Sequence, residues 1–242
     1  MTSIAASAPV IPNFGGGGSN SCVRQNKAFC WDWFSSHWSS TFQPALTQHI
    51  VLTLIAVGIG LVISLAAALV AHRYRWVETP FTVFSGFLYT IPSLALFQLL
   101  VPITGLTTTT AEIALVSYTL LILFRNTITG LSEVPDEVRE SARGMGFTPW
   151  QILFKVELPL AVPAIIAGLR VATVTVISLA TVAAFVIDKG LGAPIFAALQ
   201  SSFNTEFIAA GVLAIALALV ADALLLGVQR IATPWAASRR SA

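Results

Sequence analysis

Residues 50–71 read IVLTLIAVGIGLVISLAAALVA and contain no ionisable side chain. As a helix rising about 1.5 Å per residue, this run reaches across the roughly 30 Å hydrocarbon core of a bilayer. A chain that carries it must satisfy its backbone amides inside helices or a closed barrel. The whole sequence has the same character, with 56% hydrophobic and 10% charged residues. A soluble domain carries about 25% charged residues.

Four further spans are expected. The second covers about 80–102 and ends at PITGLTTTT, a turn of proline, glycine and small hydroxyl residues. The third, about 111–131, opens at Glu112 and contains Arg125; the fourth, about 160–187, contains Arg170; the fifth, about 206–228, opens at Glu206 and contains Asp222. The expected fold is therefore all-α, a polytopic membrane protein of about five transmembrane helices. Residues 1–47 form an N-terminal segment before it, 48–232 the membrane domain and 233–242 a tail. Small residues of the first span, Gly58, Gly60 and Ala66 to Ala68, suit close helix packing.

Basic residues set the orientation. With the N-terminus outside, Arg73, Arg75, Arg139, Arg143, Lys155, Arg230, Arg239 and Arg240 lie inside and only Arg24, Lys27 and Lys189 outside. The expected topology is thus N-terminus out and C-terminus cytoplasmic. The net charge of +2 is part of this signal and carries no nucleic-acid inference. In the outer segment, GGGGSNS reads as a flexible linker and WDWFSSHW as an interfacial aromatic anchor. No basic start followed by an apolar core occurs there, so no cleavable signal peptide is expected. Cys22 and Cys30 share the segment, either bridged, as an oxidising exterior permits, or as free thiols.

Residues 133–159 form a charged stretch between the third and fourth spans. In EVPDEVRESARGMGF, Val134, Val138, Ala142 and Met145 recur at helical spacing, while Asp136, Glu137, Arg139, Glu140 and Arg143 take other faces. Gly144 and Gly146 favour an early stop. The expected product is a short amphipathic helix beneath the membrane. Its small residues at 141, 142, 144 and 146 permit close backbone approach, and Glu140 and Arg143 can make charge-assisted bonds at a rim. Pro159 and Pro163 suit the start of the fourth span.

The spacing Glu140-Ser141-Ala142, three residues, Gly146, nine residues, Val156, one residue, Leu158-Pro159 resembles the EAA loop of bacterial ABC importer permeases. Ser141 for alanine and Val156 for isoleucine are the departures. TLIAVGIGLVISLAAAL, YTIPSLALFQLL, ILFRNTITGL, VELPLAVPAIIAGLRVATV and KGLGAPIFAAL are similar to the osmoprotectant branch, whose members import glycine betaine, choline, carnitine and related quaternary amines. The similarity runs over about 47–232; Asp188 and Lys189 replace part of the family's glycine run before LG. The resemblance implies a type I importer permease of the bacterial inner membrane, with Glu140, Ser141, Ala142, Arg143, Gly146, Leu158 and Pro159 at the ATPase contact. It also implies two cytoplasmic ATP-binding subunits that use ATP and magnesium, a second permease copy or homologue, and an extracytoplasmic binding protein. Tyr89, Pro92, Ser93 and Asn126 are the expected pathway residues. Pro92 also frees a carbonyl at membrane depth, which a packing kink would explain equally.

Enzymatic chemistry is not expected. No GxxxxGK[ST] loop occurs, and Gly15 to Gly18 lack a lysine after them. His37, His49 and His72 are scattered, HExxH and GxSxG are missing, and no metal cluster or catalytic residue suggests itself. Arg125, Arg170 and Asp222 read as paired or snorkelling side chains. A methionine or other amino-acid permease is the nearest alternative; a secondary carrier and an intramembrane enzyme are further ones.

Overall fold

The computed structural model describes residues 21–234, and no β-strand occurs among them. The glycine-rich linker before residue 21, with Gly15 to Gly18, and the tail beyond 234 lie outside the described residues. The elements are α1 (Ser21–Arg24), α2 (Trp31–His37), α3 (Gln43–Arg73), α4 (Glu78–Thr90), α5 (Ser93–Thr104), α6 (Thr108–Ser132), α7 (Asp136–Gly144), α8 (Pro149–Ile152), α9 (Leu158–Ile187), α10 (Gly192–Ser201) and α11 (Asn204–Ala232). A π-helical turn at Trp38–Phe42 joins α2 to α3, and another at Leu153–Glu157 joins α8 to α9. Helix therefore runs without a break over Trp31–Arg73 and Pro149–Ile187.

Four of these stretches are long and apolar enough to cross a membrane, and the pair α4–α5 makes a fifth if it is one bent span. The second run was expected to be continuous from 80 to 102. Instead it breaks at Ile91-Pro92, where the two helices meet at 98°. Proline has no amide hydrogen to extend α4 and disfavours helical backbone in the residue before it. Ile91 accordingly takes extended geometry, and its amide donates to the Leu88 carbonyl at 3.4 Å.

α6 is the central helix. It runs parallel to α3, with Gly60 against Thr119 and Ser64 donating to the Leu120 carbonyl at 3.2 Å. It is antiparallel to α9, where Gly130 meets Ala161 and Ala164 and Gly168 meets Asn126. A Cβ at residue 130 would stand 2.7 Å from the Ala164 methyl, so glycine sets how closely these backbones approach. Gly58, in contrast, faces open space, and Ala66 is exposed. The close approach of α3 thus falls to Gly60 and the buried Ala68. Antiparallel to α9 lies α11, where Gln229 donates to the Pro163 carbonyl at 3.1 Å.

These pairings give the bundle two ends. At one, the turn between α9 and α10 is pinned by neighbouring side chains of α3. Gln48 accepts from the Gly190 amide at 3.1 Å, and the fully buried His49 accepts at Nδ1 from the Leu191 amide at 3.2 Å. His49 Nε2 is 3.0 Å from the Ile177 carbonyl, so the ring carries its proton there. At the other end lie His72, α7 and the start of α9.

Candidate functional site

Within the 133–159 stretch, α7 is a nine-residue rod between two turns. Pro135 precedes α7 in extended geometry, and Asp136 and Glu137 occupy the first turn with Arg143 in the last, matching the helix dipole. At the far end the Phe147 amide bonds the Ala142 carbonyl at 3.1 Å and the Gly146 amide bonds Arg143 at 2.9 Å, with Gly146 at φ +83°. This is a Schellman closure, which explains the glycine in the loop pattern: its position requires left-handed backbone. Gly146→Ala is expected to destabilise the assembled protein by about 1 kcal/mol, read as a lower thermal-unfolding midpoint in detergent, with α7 fraying from its C-terminal end.

α7 turns Ala142 inward, 1% exposed, and Val134 is also buried. Val138 and Met145, expected on the same apolar face, are 37% and 68% exposed. Within α7 Ala142 is the one buried residue, because a nine-residue rod held at both ends by turns need bury only one strip. Glu140, Ser141, Arg143, Gly144 and Gly146 lie exposed. A Cβ at 144 or 146 would meet nothing within 4 Å. Of the expected contact residues, Ala142 therefore packs into its own chain, whereas its neighbours line the open surface.

Beyond α7, Thr148 and Gln151 form a capping box, with Pro149 at the first helical position. The helix of the fourth span thus begins ten residues before Pro159. Pro159 sits in the first turn of α9 after the π-helical turn, while Pro163 lies inside α9. Leu158 and Pro159 are half-buried and Lys155 is exposed, 5.9 Å above the Phe147 ring.

Beneath α7 lies a network that sequence reasoning did not single out. Glu157, 6% exposed, accepts from Arg139 Nε at 2.6 Å and sits 3.0 Å from His72 Nε2. Arg139 also donates to Asp136 at 2.9 Å and to the Leu131 carbonyl at 2.8 Å. Burial disfavours the Arg139 cation, but its bonds with Glu157 and Asp136 outweigh this and hold its pKa above the ordinary arginine value. One carboxylate thus joins the end of α3, the middle of α7 and the start of α9. Next to it is a 310 Å³ groove lined by His72, Arg73, Arg143, Phe147, Trp150 and Glu157.

The pathway candidates are brought together only in part. Tyr89 is 41% exposed and its ring meets Tyr118 edge-on at 5.9 Å. Pro92 and Ser93 stand at the α4–α5 break. Tyr118, buried and not anticipated, donates its hydroxyl to the Ile91 carbonyl that the break leaves without a helical partner. Asn126 lies elsewhere, in the α6–α9 contact, with its amide donating to the Ile122 carbonyl at 2.8 Å.

Arg170 and Asp222 form a two-bond pair at 2.8 and 2.9 Å between α9 and α11. Arg125 is exposed on α6. At the opposite end of the bundle, Cys22 and Cys30 are joined in a disulfide. Within the loop it closes, Asn26 bonds the Ser202 carbonyl at 2.7 Å and the Asn204 amide at 3.0 Å. The Cys30 amide donates to Thr205 at 3.0 Å, and Trp33 stacks edge-on against Phe203 at 4.7 Å. From residue 21 onward the N-terminal segment is thus a small folded cap over the α10–α11 turn. Among the described residues no three His, Cys, Asp or Glu side chains gather to hold a metal ion.

Residues 40–236 match the family of the binding-protein-dependent transport system inner membrane component. The Osmoprotectant import permease protein OsmW of Salmonella typhimurium is 36% identical over 192 residues, covering 77% of this chain and 89% of that protein. The Glycine betaine/carnitine/choline transport system permease protein OpuCB of Bacillus subtilis is 34% identical over 188 residues, covering 77% and 86%. Among solved structures, an inward-facing MetNI methionine ABC transporter has a TM-score of 0.67 at 22% identity, covering 77% of this chain and 93% of that one. The last likeness speaks to the fold alone.

Proposed function

Because this chain belongs to the binding-protein-dependent transport system inner membrane component family, whose members are non-catalytic multi-pass subunits of ATP-driven importers, we propose that it is a permease for quaternary-amine compatible solutes such as glycine betaine, choline or carnitine. The observation that carries the substrate class is the similarity to osmoprotectant permeases along three quarters of the chain.

The α7 end faces the cytoplasm in this reading. Arg73, Arg75, Arg139, Arg143, Lys155 and Arg230 gather at that end, as retention of basic residues on the inner side requires. α7 is the docking element for a cytoplasmic ATPase that binds ATP and magnesium; Glu140, Ser141, Arg143, Gly144 and Gly146 supply an exposed face where a partner's backbone can come close. A second copy or homologue of this chain supplies the other half of the pathway, with Tyr89, Pro92 and Ser93 along it. An extracytoplasmic binding protein delivers substrate to the disulfide-bearing end. Closure of an ATPase pair pulls α7, and the bundle alternates between inward-open and outward-open arrangements.

Gly144→Leu tests the docking face. A Cβ there would meet nothing within 4 Å beyond its own helix backbone and chain neighbours, so the variant should insert and fold as the parent does. Co-purification of the ATPase should fall by about tenfold or more, the loss expected when a close-packed interface must open to admit a leucine. Undiminished association would remove the docking assignment. Import of labelled betaine, choline, carnitine and methionine by the reconstituted assembly checks the substrate class.

A further inference from the structure

We propose that Glu157 is the positioning residue through which movement of α7 reaches the membrane helices, and that without its charge ATP hydrolysis runs without import. The inference rests on the docking reading above and adds the path by which the pull travels.

α7 is joined to the bundle at both ends by turns, with extended backbone at Pro135 and left-handed backbone at Gly146. Such joints transmit tension poorly and let a rod swivel. The side-chain tie comes from Arg139, at the middle of the rod. Its guanidinium bonds Glu157 Oε1 at 2.6 Å and the Leu131 carbonyl at 2.8 Å, fastening α7 to the start of α9 and the end of α6. The second oxygen of Glu157 meets His72 Nε2 at 3.0 Å, which adds the end of α3.

The Glu157 and Arg139 side chains are 8% and 17% exposed, so water and salt screen the pair weakly. A short charge-assisted bond of this kind resists sliding more than an apolar contact does, because its geometry is directional. The tie includes α3, α6 and α9 but neither α4 nor α5. Pulling on α7 should therefore move α3, α6 and α9 as one body.

The test uses the complete assembly, with its ATPase and binding protein, in proteoliposomes. Glu157→Gln keeps the shape and an acceptor oxygen but removes the charge. The ATPase should still associate, because the exposed face of α7 is unaltered. ATP hydrolysed per labelled substrate imported should rise about fivefold or more, the lower bound for losing a typical coupling free energy. Arg139→Gln should do the same and carries the test alone if the first variant fails to accumulate. The double variant should be no worse than either single one, since both cut the same link. An unchanged ratio, additive losses, or loss of ATPase association in Glu157→Gln would each overturn the proposal. Gly144→Leu reports separately on docking: if that variant still binds the ATPase, the docking reading fails whatever Glu157 does.

Discussion

Gly192→Ala should lower the thermal-unfolding midpoint of the purified protein by about 6–12 °C, the shift that corresponds to roughly 3 kcal/mol in a chain of this size. Gly192 opens α10 where that helix turns back across α9. A Cβ there would overlap the Thr181 carbonyl oxygen and stand 2.5 Å from the Ala184 methyl. Thr181 presents backbone at this point, so no rotamer change can clear the clash. The α9–α10 corner would have to open, loosening the buried Leu191 beside it. Gly211→Ala is the matched control, because a Cβ at residue 211, within α11, meets nothing within 4 Å. That variant should be neutral or slightly stabilising, by up to about 1 kcal/mol. Equal midpoints for the two variants would refute the packing account.

His49→Ala has an expected effect of similar size, about 2–4 kcal/mol of lost stability. The ring fills a site with no exposure and gives the Leu191 amide its acceptor. Truncation leaves that buried donor unpaired and opens a cavity of imidazole size between α3, α9 and the 188–191 turn. His49→Gln retains a polar acceptor and should recover part of the loss. The measurement is the unfolding midpoint in detergent at fixed lipid content. Import should fall in step with the amount of folded assembly, since His49 lies at the end of the bundle away from α7.

Long spans were legible in the sequence because absence of charge over twenty residues is a local signal. α6, α9 and α11 depart from the expected spans by no more than four residues at either side, and α3 starts seven residues early. The break at Pro92 was visible as a proline, but not its size. A proline permits either a gentle kink or a full corner, and here Tyr118 from another helix receives the exposed Ile91 carbonyl. The same reason hid Glu157 and His49. Each earns its place through a partner 18 to 142 residues away, and nothing in the flanking residues marks it. The loop pattern gave the position of α7 and its closing glycine, yet not which side Ala142 faces, because small residues suit a partner surface and an internal contact equally. The cap was hidden for a further reason. Its apolar residues Val23, Trp33 and Phe42 cover Phe203, Ala209 and Ala210, a cluster built from both ends of the chain with no periodicity of its own.

That seam has a bearing on how the molecule is made. Asn26 and Cys30 find their partners at residues 202–205, so α1 and α2 complete these contacts only after the α10–α11 turn has been made. A product cut short before the α10–α11 turn would leave Trp33 without the Phe203 ring it stacks on. The cap therefore closes late, across sequence separations of 175 to 178 residues.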